Sequence, residues 1–201
     1  MSASLFQWLN RLLRLAIAVG WCAAAYGVWT QRERARPAVD YYTLWRDAGW
    51  QRPDPLPRWS GEFRRPVSPG VVEAVDEHQS RWKFGLRGLA TVNPEDPRHA
   101  ATNRWFLRQT LTNLTRELAG LPIEIGTVGS AEGRTGSGFL YVDGHLVQAG
   151  WVRAGRYRLR VEDCRVLPLS EQYELRVAER EARRERLGLW SLPGAPVDLE
   201  P

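Results

Sequence analysis

The stretch Gly138-Phe139-Leu140-Tyr141-Val142-Asp143-Gly144 decides the fold. Phe139 to Val142 favour an extended, packed backbone, and Asp143-Gly144 is a dipeptide that accepts the positive φ angles of a tight hairpin turn. Upstream, Ile123 and Ile125 open another strand, and the glycines from Gly129 to Gly138 make a loose connection. Leu107, Leu111, Leu114 and Leu118 follow helical spacing, with Gly120 as terminator. Trp82, Phe84 and Leu86 alternate with Lys83, Gly85 and Arg87, the period of a half-buried strand, and Val71, Val72 and Val75 suggest a first strand. Downstream, a last helix is expected from Ser170, as N-cap, to Leu187. Tyr173, Val177, Ala178 and Ala182 share one face of it, and Glu179 with Arg183 makes an i,i+4 pair. Gly188 ends the helix and leaves Leu189 and Trp190 to fold back on the barrel. Short strands, a helix between them and a closing helix imply an α+β chain built on a small five-stranded OB-type barrel. Other α+β arrangements share this pattern.

The 201 residues leave room for one domain of ordinary size plus an appendage. With 43% hydrophobic and 25% charged residues, the chain belongs with globular proteins and not with disordered ones. The net charge of +5 is almost wholly arginine, since Lys83 is the single lysine. Codon usage in a GC-rich genome gives such a bias, and arginine also suits phosphate, in nucleic acid or anionic lipid. Cys22 lies in an apolar run and Cys164 far downstream, so no disulfide is expected between them. The absence of a C-x-x-C pair or a Cys/His cluster argues against structural zinc.

From Leu12 to Trp29 the only charge is Arg14, which makes residues 1–36 an expected single transmembrane anchor close to the minimum spanning length. A cleaved signal peptide with Ala23-Ala24-Ala25 at its end, a lipoprotein signal at Cys22 and a buried helix are the alternatives. Arg32, Arg34 and Arg36, then Tyr41, Tyr42, Trp45 and Trp50, suit a chain lying along the headgroup layer. The balance of arginines leans toward a domain facing the cytoplasm or matrix. Prolines 53, 55, 57 and 66 make residues 37–69 an expected extended linker, with the folded domain beginning near Phe63 to Val71 and occupying residues 70–201.

The run from Gly138 to Trp151 resembles the strand, turn and short helix of staphylococcal-nuclease-like (thermonuclease) domains. The segment from Tyr173 through Ala178, Glu179 and Ala182 to Gly188-Leu189-Trp190-Ser191 is similar to that family's closing helix and glycine-leucine-tryptophan ending. Val72-Glu73-Ala74-Val75-Asp76 resembles its first strand. The resemblance covers roughly residues 70 to 191 and implies an OB-fold that cleaves phosphodiesters with calcium held by two aspartates. Two arginines would stabilise the phosphate and a glutamate would act as base.

Carried over residue by residue, that machinery is largely missing. The first metal turn, "asp-gly-asp-thr", falls on Asp76-Glu77-His78-Gln79, with neutral His78 at the ligand position. In one register of the second block, Arg87 and Glu95 keep the arginine and base while Val92 replaces the aspartate. In the other, Gly85 and Ala90 stand at the arginine and aspartate positions. The final arginine is replaced by Ser137, with Arg134 three positions early. Arg87 and Glu95 are therefore vestigial catalytic candidates, no metal site is expected, and calcium enters only if the chain is an active nuclease. Arg87, Arg134, Arg153 and Arg156 are the candidate contacts for single-stranded nucleic acid or an acidic partner across an OB groove. The leading expectation is a membrane-anchored, inactive binding or scaffold module. An active nuclease and a structural subunit of a membrane complex are the alternatives. Gly129-x-x-x-Gly133-Arg134-Thr135 lacks the lysine and spacing of a phosphate loop, and Asn113-Leu114-Thr115 matches a glycosylation acceptor by chance.

Overall fold

A computed structural model describes residues 38–46, 53–129 and 133–192. The expected anchor, residues 1–36, lies outside the described residues. Among the described residues no helix is long and apolar enough to cross a membrane. Residues 38–46 form a helical segment in a compact unit of their own, with Val39, Tyr41, Tyr42 and Trp45 exposed on it.

The second unit is an α+β body around a closed five-stranded barrel of OB-like architecture. Its strands in chain order are β1 (Arg58–Ser68), β2 (Val71–Val75), β3 (Arg81–Leu86), β4 (Leu89–Ala90), β5 (Pro122–Thr127), β6 (Thr135–Val142), β7 (His145–Leu146) and β8 (Arg158–Leu159). The helices are α1 (Ala100–Leu118), α2 (Val147–Arg153) and α3 (Leu169–Arg184), with single 3₁₀ segments at Val161–Val166 and Gly188–Ser191. The strand order is β3-β2-β1-β5-β6-β7, and a parallel pairing of β3 with β6 closes the cylinder. The small β4–β8 ribbon stands apart.

The first strand corrects the sequence reading: residues 58–68, expected within the linker, are β1, and Val71–Val75 is the second strand. Trp59, Gly61 and Phe63 face inward in strict alternation, and then a register shift between Phe63 and Arg65 interrupts the period. A second shift, between Pro66 and Ser68, accommodates the proline, which has no N–H for the ladder. Two bulges and a proline thus hide a strand from any period-two search. Strand β3 follows the expected alternation, β2 and β6 are instead buried over four consecutive residues, and Asp143 (φ 51°) and Gly144 (φ 77°) make the expected turn between β6 and β7.

Both long helices form where the spacing predicts them, but the last one ends at Arg184 and not at Leu187: Arg186 (φ 52°), not Gly188, turns the chain, and the Leu187 amide donates back to the Ala182 carbonyl at 2.9 Å. The buried stripe of α1 is Asn103, Phe106, Thr110, Leu114 and Leu118, leaving Leu107 and Leu111 half-buried. Two polar residues in that stripe displace the apparent leucine face, and the Asn103 amide is satisfied by donating to the Asn93 carbonyl at 2.7 Å. Helix α3 starts at Leu169, one residue before the expected cap. The Pro168 carbonyl accepts the amides of Glu171 and Gln172, and Ser170 makes no cap. Tyr173 and Val177 are half-buried, while Leu169, Gln172, Leu175, Ala178 and Ala182 are buried. The expected Glu179–Arg183 pair forms at 3.2 Å.

After α3 the chain locks onto the end of α2. Gly155 (φ 67°) accepts the Leu189 amide at 2.8 Å, and a Cβ on Gly155 would strike the Leu187 carbonyl. Trp190 then packs with Phe106, Ala182 and Leu189, and with Val92 and Leu192, in a cluster separate from the main core. The expectation that it docks on the barrel is corrected to a seat between α1 and α3. Trp190→Ala is expected to destabilise the protein by about 3–5 kcal/mol, read as a lowered urea midpoint. A loss within error would mean that this cluster contributes nothing to folding.

Candidate functional site

Three strand ends meet at one rim of the barrel. The Leu86 amide donates to the Gly70 carbonyl at 2.7 Å, and the Arg87 amide donates to the Gly138 carbonyl at 2.9 Å. Gly85 pairs with Ser137 across the parallel β3–β6 seam. Gly70, Gly85 and Ser137 are small and neutral, and the Ser137 hydroxyl is turned to the Val128 carbonyl at 3.4 Å. An added Cβ at Gly85 would meet Ser137 Cβ at an ordinary 3.8 Å, so glycine is not demanded there by crowding. A rim of this kind can accept a backbone or a flat surface, and the charge beside it, Arg87, is already paired with Asp163.

The turn assigned to the first metal aspartate is corrected with the strand order. Residues 76–79 join β2 to β3, and the turn after the first strand is Ser68-Pro69-Gly70, which has no carboxylate. Asp76 instead holds its own turn together. Oδ1 accepts the amides of His78 (3.0 Å) and Ser80 (2.8 Å), and Oδ2 accepts the Trp82 indole N–H at 2.9 Å. His78 is exposed, 3.4 Å from Glu77. Neither candidate for the second aspartate position is a ligand: Ala90 pairs with Arg158 in the β4–β8 ribbon, and Val92 packs on the Trp190 cluster. Among the described residues no group of three His, Cys, Asp or Glu side chains could hold a metal. The residues present therefore do not fit the calcium that the resemblance implies.

The four candidate arginines do not come together as one surface. Arg87 reaches Asp163 of the first 3₁₀ segment at 3.1 Å, so its guanidinium is held against the body. Arg153, at the end of α2, contacts Glu181 of α3 at 2.9 Å. Arg156 makes a two-pronged contact with Glu117 at the end of α1, at 2.6 and 2.5 Å. That bond, the first of several causes, lowers the Glu117 carboxyl below its ordinary value. Arg134 precedes β6 with φ 63°, and its carbonyl accepts the amide of Lys83, an exposed residue. Glu95, the candidate base, is exposed in the turn before α1, its amide donating to Asn93 Oδ1 at 2.9 Å.

Sequence reasoning missed the carboxylates that claim these arginines. Glu117, Asp163 and Glu181 lie 39, 76 and 28 residues from their partners, and no local period connects them. It also missed a buried polar link, in which the Tyr141 hydroxyl donates to Glu171 at 2.6 Å while the Arg58 guanidinium covers the ring at 3.3 Å. Burial pushes that phenol well above its ordinary range.

The Trp82 indole, first among the groups that bond it, holds the Asp76 carboxyl below its ordinary value of 3.8. The folded state thus binds this proton more weakly than the unfolded chain does. The resulting stability is complete above about 3.8 and is lost as pH falls through the lowered folded-state value. In Asp76→Asn the carboxylate is gone, so its stability deficit against wild type is expected to be constant near neutral pH and to shrink on acidification below about 4. Urea midpoints across that range measure this, and a deficit independent of pH would exclude a role for the charge. Compared with known proteins, the chain matches no family model and no curated protein.

Proposed function

We propose that this chain is a catalytically degenerate staphylococcal-nuclease-like domain, held at a membrane by its N-terminal segment, that works as a non-enzymatic scaffold module for proteins of a membrane assembly. The observation that carries the reading is the rim itself, where Gly70, Gly85 and Ser137 are small and neutral and the neighbouring Arg87 is already paired with Asp163. A solvated Glu95 acting alone would supply roughly 10²–10⁴-fold, far below what phosphodiester cleavage needs. A protein partner fits better than nucleic acid because Arg87, Arg153 and Arg156 are already engaged by carboxylates within the domain.

A second reading, binding of single-stranded nucleic acid, is favoured by one feature. Lys83 and Arg134 lie side by side at the start of the parallel seam, where Lys83 pairs with Thr135. The readings separate on the purified full chain. The expected result is no cleavage of single-stranded DNA with calcium above buffer, and co-purification from carbonate-washed membranes with a partner at fixed stoichiometry. Cleavage that vanishes in Glu95→Gln would overturn the non-catalytic assignment. DNA binding that weakens steeply with salt and falls in Arg134→Ala would move the function to nucleic acid.

A further inference from the structure

Other cations without a carboxylate partner among the described residues lie on the outward side of α1. Its buried stripe of Asn103, Phe106, Thr110, Leu114 and Leu118 fixes the rotation of the helix. The opposite ridge is therefore Ala101, Trp105, Arg108, Thr112 and Arg116, a line about 22 Å long at the helical rise, with Arg104 at its flank. All six are exposed, and Trp105, at 59%, is the most exposed large hydrophobic side chain among the described residues. No aspartate or glutamate occurs from Ala100 to Arg116, and Glu117 is taken by Arg156. Glu95 and Asp96, the nearest acids upstream, sit in the turn before the helix. Arg104 and Arg108 have no carboxylate partner among the described residues, although as i,i+4 like charges they repel each other.

An indole and a row of guanidinium groups on one convex, solvent-facing helix side is the chemistry of a headgroup layer. Arginine meets the phosphates, and the amphipathic ring enters the boundary between headgroups and acyl chains. Single-stranded nucleic acid asks for something else, a groove with several stacking rings. We propose that this face of α1 docks on an anionic phospholipid surface, laying the barrel against the bilayer as a second contact besides the N-terminal segment. The inference rests on the proposed function only in taking the membrane as the place of action.

The test uses the full chain with Cys22→Ser and Gln109→Cys, carrying a polarity-sensitive dye at position 109 beside Trp105. Cys164 stays unlabelled because it is buried, which pushes its thiol up to about 12. The protein is added to vesicles of phosphatidylcholine alone, or with about one third phosphatidylglycerol, a composition rich enough in charge to attract basic residues. The expected result is a blue-shifted emission with anionic vesicles only, reversed by high salt. Arg104→Glu with Arg108→Glu should raise the anionic lipid concentration for half-maximal shift by about thirtyfold or more, at about 1 kcal/mol for each arginine lost. Equal emission on neutral and anionic vesicles would overturn the proposal, as would a shift produced by a single-stranded oligonucleotide without anionic lipid. Carbonate extraction of the same samples reads the N-terminal tether separately. A chain released by carbonate whose dye still shifts on anionic vesicles refutes the tether and keeps the docking face.

Discussion

Closure of the barrel depends on two strands that change partners in mid-course. In β1, Glu62 pairs with Pro122 of β5 and with Val75 of β2, so one strand serves both halves of the cylinder. In β6, Gly138 pairs with Leu86 on the parallel side and with Thr127 on the antiparallel side. A strand can make that exchange only where its backbone comes very close to a neighbour. At Gly138 a Cβ would strike the Gly126 carbonyl, and at Gly61 it would strike the Val75 carbonyl. Glycine at these crossings is a steric requirement.

The helices are then attached by charge as well as by packing. Arg156 to Glu117 ties the segment after α2 to α1, Arg153 to Glu181 ties α2 to α3, and Arg87 to Asp163 ties the β3 end to the 3₁₀ segment. Each pair is partly exposed, so each contributes on the order of 1 kcal/mol or less. Their larger effect is on the surface field: each arginine's charge is offset by a carboxylate of the same domain. Arg104 and Arg108, by contrast, have no carboxylate partner among the described residues.

The rim reads differently once β1 is in place. The Asp76 turn, aligned in sequence with the family's first metal turn, joins β2 to β3, and its carboxylate is saturated by two amides and an indole. Acceptors already filled by fixed N–H groups are poor ligands for a hard cation. The proposed non-catalytic role accordingly rests on where the carboxylates point as much as on which are missing.

By itself the sequence determined the elements whose signal is local. The Phe139–Val142 strand with its Asp143-Gly144 turn, the helix ending before Gly120 and the Glu179–Arg183 pair each depend on residues a few positions apart. The period of side-chain burial and the φ preference of glycine are enough for those. Only the tertiary structure decided the rest. Strand β1 was hidden because two bulges and Pro66 break its alternation, and its identity lies in pairing with β5, more than fifty residues away. The roles of Arg87, Arg153 and Arg156 were hidden because an arginine looks the same in a sequence whether its carboxylate is near or absent. That distinction is a Coulombic contact of a few ångströms between distant residues, and only the closed barrel brings them together.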